Sequence, residues 1–484
     1  MKTVFLTALA SASLISSISA LTLAPRSASP RVVQLSTTRK AVHPVEHDRR
    51  RLRRRDGTVT VTLDNEETLY FADCTLGTPA QSLRLHIDTG SSDLWVNTAN
   101  STFCESARDA CSGGTYDPSS SSTYKFVNSD FNISYVDGTG ATGDYVSDTL
   151  TIGSISLTDF QFGVGFESSS EEGVLGIGYV TNEVQVNRAD GLSYPNLPQA
   201  MAQTGLITTN AYSLWLNDLD ANTGSILFGG VNKDKYTGDL ATVPIIKEYN
   251  AYYEFIIALT GVSINDGSSS TSFDSSTSLP TAALLDSGSS LVYLPNDVTE
   301  DIYNSVGATY DSQSGVAYVD CSLANNASTL DFDFSGQIIQ VPYNELVLDV
   351  GSSDGGQLTF QNGDAACVFG IAPAQGSEPV LGDTFLRSAY VVYDLDSNEI
   401  SLAQTNFNST TDDVVEITKA SGVPGATDVA SPVTTVSAET GGARIGSPTT
   451  TSSPDVANAA SAELVSVGLM GAALGAVGVF FAFF

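Results

Sequence analysis

The stretch Leu83-Arg84-Leu85-His86-Ile87-Asp88-Thr89-Gly90-Ser91-Ser92 alternates apolar and polar residues and then breaks into small, turn-forming ones. That order predicts a half-buried strand ending in a reactive turn that presents Asp88. The pattern recurs 198 residues later, where Ala282-Ala283-Leu284-Leu285 feeds Asp286-Ser287-Gly288-Ser289-Ser290 and strand-forming Leu291-Val292-Tyr293-Leu294 follows. A second echo reinforces the first: Gly173-Val174-Leu175-Gly176-Ile177-Gly178 lies downstream of Asp88, and Val380-Leu381-Gly382-Asp383-Thr384-Phe385 downstream of Asp286. Each half therefore reads Asp-Thr/Ser-Gly, then a pair of apolar residues closed by Gly. Two homologous lobes facing each other is the simplest account.

Outward from these turns, the chain from about 58 to 405 is a succession of short strand patterns separated by Gly, Asn, Asp and Ser. Strands are expected at Thr58 to Leu63, Leu69 to Leu76, Leu83 to Ile87, Tyr145 to Ile152, Ser213 to Leu216, Ser225 to Phe228, Tyr252 to Leu259 and Ala389 to Tyr393. Helical periods are scarce, with Leu197 to Gln203 and Asn296 to Val306 the best candidates. The fold class is all-β.

With 484 residues, 42% hydrophobic and 15% charged, the chain can bury more than one core. The net charge of −33 is unevenly spread: residues 1–55 hold 11 of the 21 Lys and Arg, leaving 10 basic against 52 acidic residues beyond them. So acidic a body excludes nucleic-acid binding through phosphate neutralisation and points to an acidic working environment. Of three histidines, His43 and His47 lie in the basic leader. A histidine-based nucleophilic mechanism would thus depend on His86 alone, which is read as structural. Without a Cys-x-x-Cys or a histidine pair, no metal or cofactor is expected.

The ends read differently from the body. Residues 1–20 have the layout of a secretory signal peptide. Residues 21–55 are a basic propeptide closing on Arg49-Arg50-Arg51-Leu52-Arg53-Arg54-Arg55, a site for a dibasic-specific processing protease, so that the mature chain would start at Asp56. Export permits disulfides: Cys104 with Cys111 and Cys321 with Cys367 would each close a bridge within one lobe, leaving Cys74 as a buried thiol. Glycosylation sequons stand at Asn100, Asn132, Asn326 and Asn408. Residues 406–458 read as a Ser/Thr-rich stalk, and 459–484 as the tail of a GPI-attachment signal with Asn458 as the attachment site. A true transmembrane span over Leu464 to Phe484 is the rival reading; it lacks flanking Lys or Arg.

Two carboxylates sharing one water cannot both ionise cheaply. One stays protonated and polarises a carbonyl, while the other takes a proton from the attacking water. Gly90 and Gly288 let the turns be tight, and the hydroxyls of Ser91 and Ser289 can bond the carboxylates.

Phe71 to Val96 (FADCTLGTPAQSLRLHIDTGSSDLWV), the later LLDSGSS and Val380 to Ala403 (VLGDTFLRSAYVVYDLDSNEISLA) together resemble the pepsin-like aspartic endopeptidases over roughly residues 68–405. With the dibasic leader and the GPI-like tail, the chain looks most like the fungal yapsin-type cell-surface proteases. The resemblance implies a bilobal fold with a peptide-binding cleft between an N-terminal lobe (56–240) and a C-terminal lobe (241–405), and a monomer acting on polypeptides. Asp88 and Asp286 match the catalytic dyad. Tyr135, Asp137, Gly138 and Thr139 match the flap that closes on substrate, and Trp95 the aromatic bracing the flap tyrosine. Ser287 stands where threonine is also common, and the Cys104–Cys111 loop is short beside the insertion of some yapsins. A preference for Lys or Arg beside the scissile bond is also implied, with Asp137, Glu105 and Asp109 offered to supply it. The competing readings are a catalytically silent wall glycoprotein on the same scaffold and an acid glycosidase with paired carboxylates. The glycosidase leaves the duplication unexplained.

Overall fold

A computed structural model describes residues 30–40, 69–106, 110–135, 139–187, 191–221, 223–248, 250–273, 278–349 and 357–436. The signal peptide, the Arg-rich processing site, Thr58 to Leu63, Asp109, Asp137, Gly138 and the tail with Asn458 lie outside them. Among the described residues no helix is long and apolar enough to cross a membrane.

The architecture is mostly β, as the sequence predicts, with four short α-helices among the described residues. Leu69–Leu76 pairs antiparallel with Gln81–Asp88, and a turn through Gly77 at φ +85° joins them. Along Gln81–Asp88 alternation persists as far as Leu85, after which His86, Ile87 and Asp88 are all buried. The reason is a second neighbour: Gly173–Gly176 runs parallel beside the strand's end, placing Leu175 opposite Ile87 and Gly176 opposite Asp88. The same short strand pairs antiparallel with Leu94–Asn97, so it fills the slot between the two strands that flank the Asp88 turn. A Cβ on Gly176 would stand 2.7 Å from the backbone of Ser92 and Asp93, so the strand can pass the turn only with glycine there.

The later half repeats this plan. Val380–Leu381 lies between Thr281–Leu285, to which it is parallel, and Val292–Leu294, to which it is antiparallel. A Cβ on Gly382 would meet the carbonyls of Leu291 and Ser289 at 2.4 Å. The apolar pair closed by Gly, which recurs in the sequence, is thus the strand threaded behind each aspartate turn. Strands Ala211–Trp215 and Ala389–Asp394, one from each half, pair with Leu214 opposite Val391. Tyr212 stacks on Tyr393 at 4.9 Å across that seam.

Two stretches outside the expected lobes join the body. Val33–Lys40, in the basic leader, is an interior strand between Thr223–Phe228 and Leu69–Leu76, with Val33, Leu35 and Thr37 buried. Beyond Thr405, Val414–Glu416 pairs with Gly230–Asn232, Ala426–Asp428 runs parallel to Tyr236–Pro244, and Ile417 is fully buried. This part of the stretch read as a stalk packs on the core because it carries apolar residues at regular intervals.

The predicted helices form at Leu197–Gln203, capped by the Asn196 side chain, and at Asn296–Val306, ended by Gly307 in the left-handed region. Tyr252 to Leu259 is strand only over Ile256–Leu259. The bridges Cys104–Cys111 and Cys321–Cys367 are formed, and Cys74 is a free, buried cysteine. Asn100, Asn326 and Asn408 are exposed, whereas Asn132 is half-buried in the strand Lys125–Ser134.

Candidate active site

The two turns meet and interlock. Thr89 Oγ1 donates to the Leu285 carbonyl at 2.9 Å and accepts from the Ser287 N–H at 2.9 Å. Reciprocally, Ser287 Oγ donates to the Ile87 carbonyl at 3.0 Å and accepts from the Thr89 N–H at 3.2 Å. All four bonds are buried, so each hydroxyl supplies the polar complement that the opposite turn's backbone would otherwise lack.

On this crossed lock sit the carboxylates, each held the same way. The Gly90 N–H donates to Asp88 Oδ1 at 2.8 Å and Ser91 Oγ to Asp88 Oδ2. The Gly288 N–H donates to Asp286 Oδ1 at 2.8 Å and Ser289 Oγ to Asp286 Oδ2 at 2.6 Å. A Cβ on Gly90 would lie 2.5 Å from Asp286 Oδ1, and one on Gly288 2.4 Å from Asp88 Oδ1. Each turn's glycine therefore abuts the other turn's aspartate, and the two carboxyl groups occupy one site. They form a like-charge pair whose titration belongs to both together.

Above Asp88 the expected flap hairpin leaves Lys125–Ser134 and returns as Gly140–Ile152, with Tyr135 N–H donating to the Thr139 carbonyl at 2.8 Å across its neck. Trp95 Nε1 donates to Tyr135 Oη at 2.7 Å. Burial first, then the nearby Asp88 charge, raises the Tyr135 phenol well above its ordinary range, while the Trp95 and Ser91 hydrogen bonds oppose the shift. Tyr135 stays a neutral hydrogen-bonding group. Asp137 and Gly138 lie outside the described residues. His86 is buried with its ring 5.5 Å from Phe71.

Of the three acids offered for basic-residue recognition, only Glu105 is described; it is exposed in the Cys104–Cys111 loop. The sequence reading missed Glu254 and Glu378. Burial pushes Glu254 up to about 8, followed by the charges of Glu378 and Asp286, against a hydrogen bond from Asn182, with Asp88 also acting on it. Burial pushes Glu378 up to about 7. In so acidic a sequence no local pattern marks either residue; the fold alone brings them near the dyad.

The family described as eukaryotic aspartyl protease matches residues 69–405, and the chain belongs to that family as an aspartic-type endopeptidase. It is 62% identical over 405 residues to the probable aspartic-type endopeptidase opsB of Aspergillus oryzae, covering 83% of this chain and 82% of that one. It is 36% identical over 387 residues to the aspartic proteinase yapsin-3 of Saccharomyces cerevisiae, covering 77% and 73%. The crystal structure of the aspartic proteinase from Irpex lacteus superposes with a TM-score of 0.57 at 22% identity, over 79% of this chain and all of that one, which shows the shared fold.

Proposed function

We propose that Asp88 and Asp286 are the catalytic pair of an acid peptidase exported to the fungal cell surface. The observation that carries this reading is the reciprocal fit of Gly90 against Asp286 and Gly288 against Asp88, which brings two buried carboxyls together with their outer oxygens already bonded to Ser91 and Ser289. Such a pair holds one proton between them; aspartic proteases are the standard example. The ionised member takes a proton from a water, the water attacks the scissile carbonyl, and the protonated member hydrogen-bonds that carbonyl oxygen as negative charge develops. The proton then passes to the leaving nitrogen. Tyr135, braced by Trp95, closes over the peptide, and Gly138 and Thr139 offer backbone contacts at the flap tip.

The signal-like residues 1–20, the basic run ending at Arg55, the sequons and the apolar tail after Asn458 support secretion, processing by a dibasic-specific protease and GPI anchoring of a monomer. Glu254 and Glu378 near the dyad support a preference for Lys or Arg at the cleavage site, alongside Asp137.

The test is peptidase activity of the secreted protein at acid pH, with and without a statine-type transition-state analogue, beside Asp88→Asn. Activity abolished by both supports the dyad. Survival through both would reject it and leave the silent wall glycoprotein as the better account.

A further inference from the structure

Beyond Thr405 the chain carries apolar residues at Ile417, Val423, Ala426, Val429, Val433 and Val436. Ile417 is fully buried and the other five are half-buried, while from Gly425 onward the residues between them are exposed. This is the pattern of a strap laid along a surface, and it crosses from one half of the molecule to the other. Val414–Glu416 pairs with Gly230–Asn232, and Lys233 N–H donates to the Asp413 carbonyl at 2.9 Å. Ala426–Asp428 then forms the outermost strand of the large sheet beside Tyr236–Pro244, and Val429 N–H donates to the Thr242 carbonyl at 3.1 Å. Finally Val433 and Val436 pack on a cluster of Ile246, Ile256, Ala258 and Ala282, with Leu284 beside it.

That cluster is the outer face of the strand that presents Asp286. Ala282 and Leu284 belong to Thr281–Leu285, and Ile256–Leu259 is its antiparallel partner, with Ala258 opposite Ala282 and Ile256 opposite Leu284. Alternation gives Thr281–Leu285 two apolar faces: Ala283 and Leu285 pack in the main core, Ala282 and Leu284 towards the strap. A polar tie runs the same way. Val433 N–H donates to Ser335 Oγ at 3.0 Å, and Ser335 N–H donates to Thr260 Oγ1 at 2.8 Å, where Thr260 directly follows Ile256–Leu259. At the inner end of the strand there is no slack, because the Asp286 carboxyl abuts Gly90 and the Ser287 hydroxyl is locked to the facing turn. Productive geometry has to be held to about 0.5 Å, so the packing behind the strand bears on the carboxyl in front of it.

We propose that residues 414–436 are a clamp on the Asp286 strand, and that Val433 and Val436 are positioning residues that hold its outer face so that Asp286 meets Asp88 in productive alignment. The proposal rests on the dyad reading for its activity readout. Loosening the clamp leaves the groups that bind the peptide in place and misaligns the pair that reacts with it, so the loss falls on kcat rather than KM. The coupling is also reciprocal: a ligand that binds the aligned pair better than the misaligned one must in turn hold the strap more tightly.

The experiment uses the full-length secreted enzyme and compares wild type with the double variant Val433→Ser/Val436→Ser at pH 4, well below the unfolding temperature of either. Active sites are counted with a statine-type transition-state analogue. The expected result is a kcat per active site lowered about tenfold with KM changed by less than about twofold, and recovery of kcat in Val433→Ile/Val436→Ile. A serine variant that melts earlier but keeps the wild-type kcat overturns the proposal, since the strap then only stabilises. If the serine variant does not accumulate folded, hydrogen exchange of the wild type decides. Binding of the analogue should slow exchange of the Val429 and Val433 amides, which bond Thr242 and Ser335, at least about fivefold, and unchanged exchange there overturns the proposal. A wild type without acid peptidase activity would sink the dyad reading, whereas an active wild type beside an equally active serine variant would sink the clamp alone.

Discussion

Replacing Thr89 with valine keeps its shape and removes its hydroxyl, which is 1% exposed with the rest of the residue. Two backbone groups of the opposite turn then lose their partners: the Leu285 carbonyl, bonded at 2.9 Å, and the Ser287 N–H, bonded at 2.9 Å. Each buried polar group left unpaired costs about 1–3 kcal/mol, so Thr89→Val should lower stability by about 2–6 kcal/mol. That is a large share of the roughly 5–15 kcal/mol of a typical domain. Thr89→Ser, which keeps the hydroxyl and removes one methyl, should cost about 1 kcal/mol. The assay is urea unfolding at pH 4 together with kcat/KM on a peptide substrate, which should fall at least tenfold in the valine variant because both aspartates ride on the lock. Ser287→Ala removes the reciprocal bonds to Ile87 and Thr89, and in a double-mutant cycle it should be non-additive with Thr89→Val. Wild-type stability and activity in Thr89→Val, or strict additivity in the cycle, would refute the idea that the crossed hydroxyls align the turns.

Gly288→Ala puts a Cβ 2.4 Å from Asp88 Oδ1, so kcat/KM should fall by two orders of magnitude or more (~3 kcal/mol) while secretion persists. Ending the chain at Thr405 strips Asp412 and the Ser409 carbonyl from the buried Lys235 ammonium and exposes the pocket of Ile417, so the shortened protein should be about 3–5 kcal/mol less stable in urea. Lys235→Met should recover part of that loss. Glu254 and Glu378, raised to about 8 and about 7, are largely neutral at pH 4 and gain charge as pH rises through those values. The ratio of kcat/KM for Lys over Leu at the cleavage site should therefore climb about tenfold between pH 4 and 7, about 1.4 kcal/mol. Glu378→Gln should flatten it, because that carboxyl gains most of the charge over this window, and an unchanged ratio in wild type would separate these acids from specificity.

The sequence made the two turns legible because the chemistry there constrains residue type. Only glycine tolerates an opposing carboxylate at 2.4–2.5 Å, and only a small hydroxyl residue reaches across to the facing backbone, so both features survive as letters at Asp88-Thr89-Gly90 and Asp286-Ser287-Gly288. Glycines 176 and 382 announced the threaded strands for the same steric reason. Strand alternation was less faithful: it predicts one wet face for Leu83 to Ile87, but the threaded neighbour dries both faces at the catalytic end, and periodicity carries no trace of a strand arriving from 85 residues away.

Charge and composition misdirect for a different reason, which bears on how the fold closes. Val33–Lys40 (VQLSTTRK) and Val414–Glu416 sit in stretches whose averages read as basic leader and polar stalk, yet a strand needs only alternate apolar side chains and a free backbone edge. Val33 and Leu35 supply the side chains, and Thr223–Phe228 and Leu69–Leu76 supply two edges, with Val33 to Thr38 paired against the first and Thr38 to Lys40 against the second. Arg39 donates to the Leu219 carbonyl and Arg84 Nη2 to Thr38 Oγ1 at 2.8 Å, so even the polar residues of this strand are used. Removing residues 30–40 would leave unpaired backbone in the interior of a 14-stranded sheet. Before cleavage at Arg55, Val33–Lys40 is therefore part of the structure that presents Asp88, because Leu69–Leu76, its neighbour, is the strand on which Gln81–Asp88 is laid.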